Sequence, residues 1–500
     1  MEPSASQSAR PARGAPRPVS YSPAILMRPT LNGFLSSAMR HRVLAGLLLA
    51  GLLVRVAILW NTADLGPRIS DERHYVELAG SLLNGRGFAW ATGAPTSLRP
   101  PLYPALVACV WRVAGDGNLQ AVRMVQFGLA LLTALLVYEI GRRAFTRRAG
   151  LIAAAVTWLY PSLIFMNVTI LGETLFTLLL VAFTLLAVLL VQRPAAGTAV
   201  ACGLALGLGA LTRSVLWPVP LVLCPLVAVL VGGSFRRRAG MAALVLAGYA
   251  VVVSPWAVRN TRLQGVVTVV DTMGGMNLRM GNYEHTPEDR IWDAVSLTGE
   301  KNWVYALTQE PPGSHPVGRD LTEGMKDKWA QGKAFEYMRA HPATTIRRAA
   351  IKFSDFWGLE RSFIAGVQQG LYAPPAWFAV LASVLILSTC AVVSLSGAAG
   401  LWLAHPDWRT HVVLLLPVMV LTGVHTIVFG HPRYHLPLVP ILALYGAALW
   451  QAGPHRAWHA PRVRALGAAA SVLVLLGAWA RQILVVDGEH IRSLLTDLWP

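Results

Sequence analysis

The chain has 500 residues, 54% of them hydrophobic and only 14% charged, with a mean hydropathy of +0.50. A soluble chain carries about 25% charged residues, so a water-soluble globular fold is excluded. The formal charge of +18, from 43 Lys+Arg against 25 Asp+Glu, fits arginine-rich membrane loops. No basic run is interleaved with aromatics in the way nucleic-acid binding would need, and we expect no nucleic-acid partner.

Continuous apolar runs of roughly 20 residues recur, and each can cross a hydrocarbon core about 30 Å thick. A β-barrel would show alternating segments of about ten residues instead. The sequence therefore predicts an all-α, polytopic transmembrane helical protein with about 11 spans. Interfacial helices are expected in its first outer loop, together with one larger outer loop.

Residues 1–43 are rich in Ser, Ala, Pro and Arg and read as a disordered basic cytoplasmic arm. Span 1 is expected at 44–61, followed by a first outer loop over 62–120. Within that loop, residues 69–104 read ISDERHYVELAGSLLNGRGFAWATGAPTSLRPPLYP. Tyr75, Leu78, Ala79, Leu82 and Leu83 fall at helical spacing, which predicts a short amphipathic helix from the acidic pair to Gly85. Residues 102–114 predict a second interfacial helix, too short to span comfortably.

Further spans are expected at 121–141, 150–166, 173–191, 197–215, 216–232 and 240–256, which with span 1 make up a catalytic transmembrane part, 44–256. A large outer loop region, 257–374, follows, with amphipathic helices over 320–339 and 342–357. C-terminal spans lie at 375–403, 410–429, 436–452 and 463–483, before an outer tail, 484–500. With the N-terminus inside, Arg142, Arg143, Arg147 and Arg148 fall inside, as do Arg236, Arg237 and Arg238 and then Arg456, Arg462 and Arg464, as the positive-inside rule requires. There is no internal repeat of the kind found in many transporters. Cys109, Cys202, Cys224 and Cys390 lie within or beside apolar runs, form no CxxC pair and read as small core residues.

The charges that this topology puts outside are the candidates for chemistry. Asp71 and Glu72 open the first outer loop. Such a pair can cap a helix start, or one member can act as a general base. Glu173 stands at the outer start of a very apolar span, where a carboxylate tends to be functional. Arg213, in Leu211-Thr212-Arg213, runs against the positive-inside bias and suits a phosphate in an outward cavity. Arg433 lies in Gly430-His431-Pro432-Arg433-Tyr434-His435. His431 and His435 suggest a metal, but Pro432 and the lack of a nearby carboxylate argue against one. The stretch Gly274-Gly275-Met276-Asn277-Leu278-Arg279-Met280-Gly281-Asn282 could bring backbone amides to an anion or sugar.

These motifs, in this order, resemble the C-type glycosyltransferase superfamily, in its bacterial branch related to protein O-mannosyltransferases and the lipid A aminoarabinose transferase. The resemblance rests on several stretches. They are Asp71-Glu72 with Tyr75, Arg99-Pro100-Pro101-Leu102-Tyr103-Pro104, Glu173, Leu211-Thr212-Arg213, Ser254-Pro255-Trp256-Ala257-Val258-Arg259-Asn260, the Gly-Gly-x-Asn-Leu loop and Arg433-Tyr434. It covers roughly residues 44–450.

The resemblance implies an inverting enzyme that takes a sugar from a polyprenyl-phosphate sugar donor at the outer, periplasmic face of the inner (plasma) membrane. The acceptor would be a lipid, a glycan or a protein. Asp71, Glu72 and Glu173 are then the candidate catalytic acids, with Asp71 as base or acceptor-binding group. His74, Tyr75, Arg99, Arg213, Arg259, Asn277, Asn282, Arg433 and Tyr434 are candidate substrate contacts. His74 stands where the aminoarabinose transferase has an arginine, and Leu98 where it has a metal-binding acid, so its zinc does not carry over. No metal ligand is assigned, and a divalent metal stays an open alternative. A lipid or polysaccharide transporter is the competing class. It would put its ionisable groups near the bilayer midplane, whereas these lie at span ends.

Overall fold

The computed structural model describes residues 37–304, 307, 321–453 and 460–488. Most of the expected basic arm and most of the expected tail lie outside the described residues. The chain divides into two units, 1–47 and 48–500. The described part of the first, residues 37–47, is the opening of helix α1 (Ser37–Asn61); everything below concerns the second.

The expected amphipathic helix is α2 (Ser70–Leu83), with Asp71 and Glu72 in its first turn at the positive end of the helix dipole. Asn84 ends it, followed by Gly85 at φ +72°. Then come α3 (Leu102–Ala114) and α4 (Leu119–Ala144). The expected third span is broken by Pro161 into α5 (Arg147–Leu159) and α6 (Pro161–Met166). Side-chain oxygens of Asn118 and Thr146 accept the amides of Ala121 and Ala149, capping α4 and α5.

Helix α7 (Glu173–Gln192) is apolar on every side and is correspondingly buried among neighbours that include α4 and α8 (Ala196–Ala210). Next are α9 (Pro220–Leu230) and α10 (Phe235–Gln264). Helices α8 and α10 meet through glycines. A Cβ on Gly203 would lie 2.0 Å from the Val245 carbonyl oxygen, and one on Gly248 2.4 Å from that of Val200. This is the close backbone approach that small residues permit between membrane helices.

The outer loop region carries α11 (Gly274–Met280), α12 (Glu323–Ala340), α13 (Pro342–Phe356) and α14 (Ser362–Gln368). It builds a small core around Tyr283, Ile291, Trp303 and Ala330, closed by Phe429 from the end of a later helix. The C-terminal part has α15 (Ala376–Leu403), α16 (Trp408–Ile427), a 3-10 turn Pro432–Leu438, α17 (Val439–Ala452) and α18 (Arg462–Arg481). Among the described residues there is no β-strand ladder, only an isolated bridge between Ala89 and Pro95.

Among the described residues, seven segments are long and apolar enough to cross a membrane: α4, α7, α10, α15, α16, Pro432–Ala452 and Arg462–Val486. Ala45–Asn61, α3, α8 and α9 are shorter apolar helices. The all-helical, multi-span architecture is as expected.

Candidate functional site

The site is assembled from the start of α2, the start of α7, the turn after α8 and the 3-10 turn before α17. Asp71 sits in the first turn of α2. Its Oδ1 lies 2.6 Å from Arg99 Nη2 and its Oδ2 3.0 Å from Arg433 Nη2. Arg433 Nε lies 2.8 Å from Glu173 Oε1, and Arg213 Nη1 lies 3.3 Å from the same oxygen. Arg433 thus bridges two carboxylates that are 102 residues apart in sequence. Three guanidiniums face two carboxylates, which leaves one positive charge among these five groups.

Burial alone would push the Asp71 carboxyl up. Arg99, Arg433 and Arg213 outweigh it and hold the group well below the usual carboxylate range. His74 Nδ1 takes a hydrogen bond from Arg99 Nε at 3.3 Å and lies 3.0 Å from its Nη2. A guanidinium only donates, so Nδ1 is the acceptor and the imidazole is neutral. Burial and then the Arg99 charge push its pKa down. The Tyr434 ring lies 4.9 Å from the Arg213 guanidinium carbon and stacks on His425 at 4.5 Å. Tyr75 is buried edge-on against Tyr103 at 5.0 Å, within cation–π range of Arg99.

Other expected site residues are tied into the scaffold. Glu72, next to Asp71, turns the other way. Its Oε2 accepts the amides of Arg68 at 2.7 Å and Ile69 at 3.2 Å, and its Oε1 that of Ile170 at 2.9 Å. It bolts the start of α2 to the segment before α7 and so positions Asp71 against Glu173.

Arg259 donates to the carbonyls of Thr96 at 2.6 Å and Phe88 at 3.0 Å. Glu323 of α12 accepts from the Thr96 hydroxyl and the Ser97 amide, both at 2.7 Å. Together they hold the turn that presents Arg99. Asn282 donates to the Leu278 and Ile427 carbonyls and accepts from Lys352, which makes it a packing residue. Asn277 lies half-buried in α11. The Gly275 and Met276 amides do meet an anion, but it is the Asp327 carboxylate, at 2.7 and 3.1 Å. A Cβ on Gly275 would lie 2.0 Å from the Asp327 backbone oxygen.

The structure adds an acid that sequence reasoning missed. Asp271 accepts the Met273 amide at 3.3 Å and interacts with Ser214 and the Arg99 charge. Burial, only partly offset by those contacts, pushes its pKa up to about 6. Its only signal is one acid at the end of the run Val266-Val267-Thr268-Val269-Val270. Two buried arginines were also missed. Arg55 of α1 donates to the carbonyls of Gly51 and Trp158, and Arg123 of α4 to that of Val168. Arg55, Asn167 and Glu173 line a small cavity behind the acid.

Fold and site define an integral membrane protein of many helices with an arginine–carboxylate centre of net positive charge. Residues 98–258 match the family model of dolichyl-phosphate-mannose-protein mannosyltransferase, in line with the expected resemblance to the C-type glycosyltransferase superfamily. No curated protein matches. Among solved structures, the chain is similar to ArnT from Cupriavidus metallidurans bound to undecaprenyl phosphate. That match has 17% identity and a TM-score of 0.39, and covers 82% of this chain and 80% of that one. It is also similar to the apo oligosaccharyltransferase of Archaeoglobus fulgidus, with 14% identity and a TM-score of 0.47, covering 91% of this chain and 56% of that one.

Proposed function

We propose that the chain is a membrane glycosyltransferase that moves a hexose or pentose from a polyprenyl-phosphate sugar to a lipid, glycan or protein acceptor. The reaction takes place at the outer face of the inner membrane. The observation that carries this reading is the bridge from Asp71 through Arg433 to Glu173, flanked by Arg99 and Arg213. A phosphodiester-linked donor brings one negative charge, which matches the one positive charge the cluster keeps.

In the reaction, an acceptor hydroxyl or amine attacks the anomeric carbon from the side opposite the phosphate. The new bond to that carbon forms as the bond from carbon to phosphate oxygen breaks, so the configuration inverts. The electron pair leaves with the phosphate, whose charge grows from about −1 towards −1.5 to −2. Preformed cations aimed at that growing charge lower the barrier, the principle by which oxyanion holes work. Arg433 and Arg213 are the groups for this task.

The proton released by the acceptor goes to a carboxylate. In the resting state Asp71 is held too acidic by its arginines to be an effective base. When the donor phosphate draws Arg433 towards itself, that hold weakens and Asp71 becomes a better acceptor for the proton. The rest of the chain serves this centre. Residues 44–256, with the first loop 62–120, supply the acids and two arginines. The region 257–374 braces the loop through Glu323, and residues 375–483 bring Arg433 back to it.

The test is sugar transfer by purified protein in lipid nanodiscs, from radiolabelled polyprenyl-phosphate hexoses and pentoses to an extract of envelope acceptors. Transfer by the wild type that is lost in Asp71→Asn supports the reading. Uptake or movement of the donor across the bilayer with no glycosylated product would replace it with the transporter reading.

A further inference from the structure

A second cluster stands apart from the arginine–carboxylate centre and is built from residues to which no role has been given above. Glu360 follows α13, Cys390 lies in the middle of α15, and His435 sits in the 3-10 turn before α17. One ligand atom from each, a carboxylate oxygen, a thiol sulfur and an imidazole nitrogen, lies within 4.8 Å of the others. All three side chains are buried, at 3%, 1% and 1% exposure. The missing carboxylate that spoke against a metal at His435 in the sequence is supplied by Glu360, 75 residues away along the chain.

The hydrogen bonds fix the imidazole. His435 Nδ1 lies 2.6 Å from the Phe356 carbonyl oxygen, which can only accept. Nδ1 therefore carries a proton, and Nε2 faces Glu360 Oε1 at 3.0 Å, where either a second proton or a metal ion can sit between them. That oxygen already accepts from the Tyr160 hydroxyl at 2.7 Å. A carboxylate, an imidazole nitrogen and a thiol thus converge in a dry interior. Glu360 Oε2 is buried and has no hydrogen-bond partner. The convergence of three metal-ligating atoms and the unpartnered Glu360 Oε2 suits a cation held between them.

We infer that Glu360, Cys390 and His435 bind a structural zinc ion. The donor set of one sulfur, one nitrogen and one oxygen suits Zn²⁺ and does not suit Mg²⁺ or Ca²⁺, which take oxygen ligands. Charge agrees: a thiolate and a carboxylate neutralise Zn²⁺, so the loaded site is neutral in a low-dielectric interior. The carbonyl that holds Nδ1 is the usual outer partner of a metal-bound histidine. The His435 ring is further locked by stacking on Trp357 at 5.6 Å. Tyr160 or a water completes four-coordination.

The ion has a positioning role. It pins three elements to one another two residues from Arg433, and so fixes the turn from which Arg433 reaches the acids and Tyr434 meets Arg213. No substrate path is required, and none of the three ligands touches Asp71, Glu173 or their arginines in the contacts described.

The experiment is elemental analysis of the full chain purified in detergent without added chelator, together with Cys390→Ala and Glu360→Gln. Both variants remove a ligand without adding bulk. Zinc near one ion per chain in the wild type, lost to background in both variants, is the expected result. Cobalt taken up in its place should give a thiolate-to-metal absorption band that Cys390→Ala lacks. Wild-type protein with no stoichiometric metal, and no cobalt band after titration, would overturn the inference in favour of an imidazolium–glutamate pair. Zinc unchanged in both variants would overturn it equally, because the ion would then lie elsewhere. None of these readouts depends on glycosyl transfer.

Discussion

Replacing Asp71 by Asn should move donor binding and turnover in opposite directions. The side chain keeps its shape and one acceptor oxygen but loses its charge. Arg99 and Arg433, whose side chains are 15% and 16% exposed, lose the anion they share. The cluster then carries two positive charges instead of one. For a bound phosphate roughly 8 Å away, a unit charge at an effective dielectric of about 20 is worth about 2 kcal/mol. Polyprenyl phosphate alone should therefore bind up to about 30-fold more tightly. Loss of the proton-accepting or acceptor-orienting group should meanwhile lower transfer by about 10²–10⁴-fold. Unpairing two partly buried arginines should also cost roughly 2–3 kcal/mol of stability, less than for a fully buried pair. Binding is followed by thermal shift and tryptophan fluorescence with a short-chain polyprenyl phosphate in nanodiscs, and turnover by labelled sugar. Donor affinity that falls in step with turnover would refute the charge argument, and unchanged turnover would remove Asp71 from the chemistry.

Further outcomes follow from the same geometry. Arg433→Lys keeps the charge but cannot reach two carboxylates as a planar fork, so donor KM should rise and kcat fall, with Arg433→Gln worse in both. Glu72→Ala leaves three backbone amides without their acceptor; stability should drop by roughly 2–4 kcal/mol in a detergent melt, and Glu72→Gln should recover part of it. Asp271 holds its proton to about pH 6 when folded, against an ordinary value of 3.8. Its contribution to stability is therefore full below pH 3.8 and lost as pH rises through 6. Asp271→Asn, which mimics the protonated acid, should raise the melting temperature at pH 8 by the equivalent of up to about 3 kcal/mol and give little gain at pH 4. An equal gain at both pH values would contradict the raised pKa.

Much of the architecture was legible because membrane spans are long, continuous and apolar. Helix α2 was legible too, since its apolar spacing, first-turn acids and stopping glycine agree. The break at Pro161 hid behind an apolar run that hydropathy averages over. The site was legible as a set of charges on one side, but not as a geometry. Asp71 and Glu72 are the same chemistry at adjacent positions, and only the fold shows that one meets guanidiniums and the other meets amides. Arg259 and Arg213 look alike in sequence, yet Arg259 is spent on loop carbonyls while Arg213 faces Glu173. Asp271 was invisible because no pattern marks it, and its raised pKa comes from burial that only the packed loop creates.

The distinction between charges that bind backbone and charges that face one another also explains how the centre stays open to an anion. Glu72, Arg259, Glu323 and Arg123 satisfy amides and carbonyls, so they fix the loops without depending on any substrate. Asp71, Glu173, Arg99, Arg213 and Arg433 chiefly satisfy one another, with Arg99 also donating to His74, and among these five groups there is one cation in excess. An arriving phosphate can draw a guanidinium from this second set without unfastening the first. Salt should report the difference. Weakening of polyprenyl phosphate binding with ionic strength should be steeper in Asp71→Asn, which has the larger excess charge, than in the wild type. Arg259→Ala should lower stability and leave that slope unchanged. A slope that flattens in Arg259→Ala by as much as in Arg433→Gln would mean that the two sets are one.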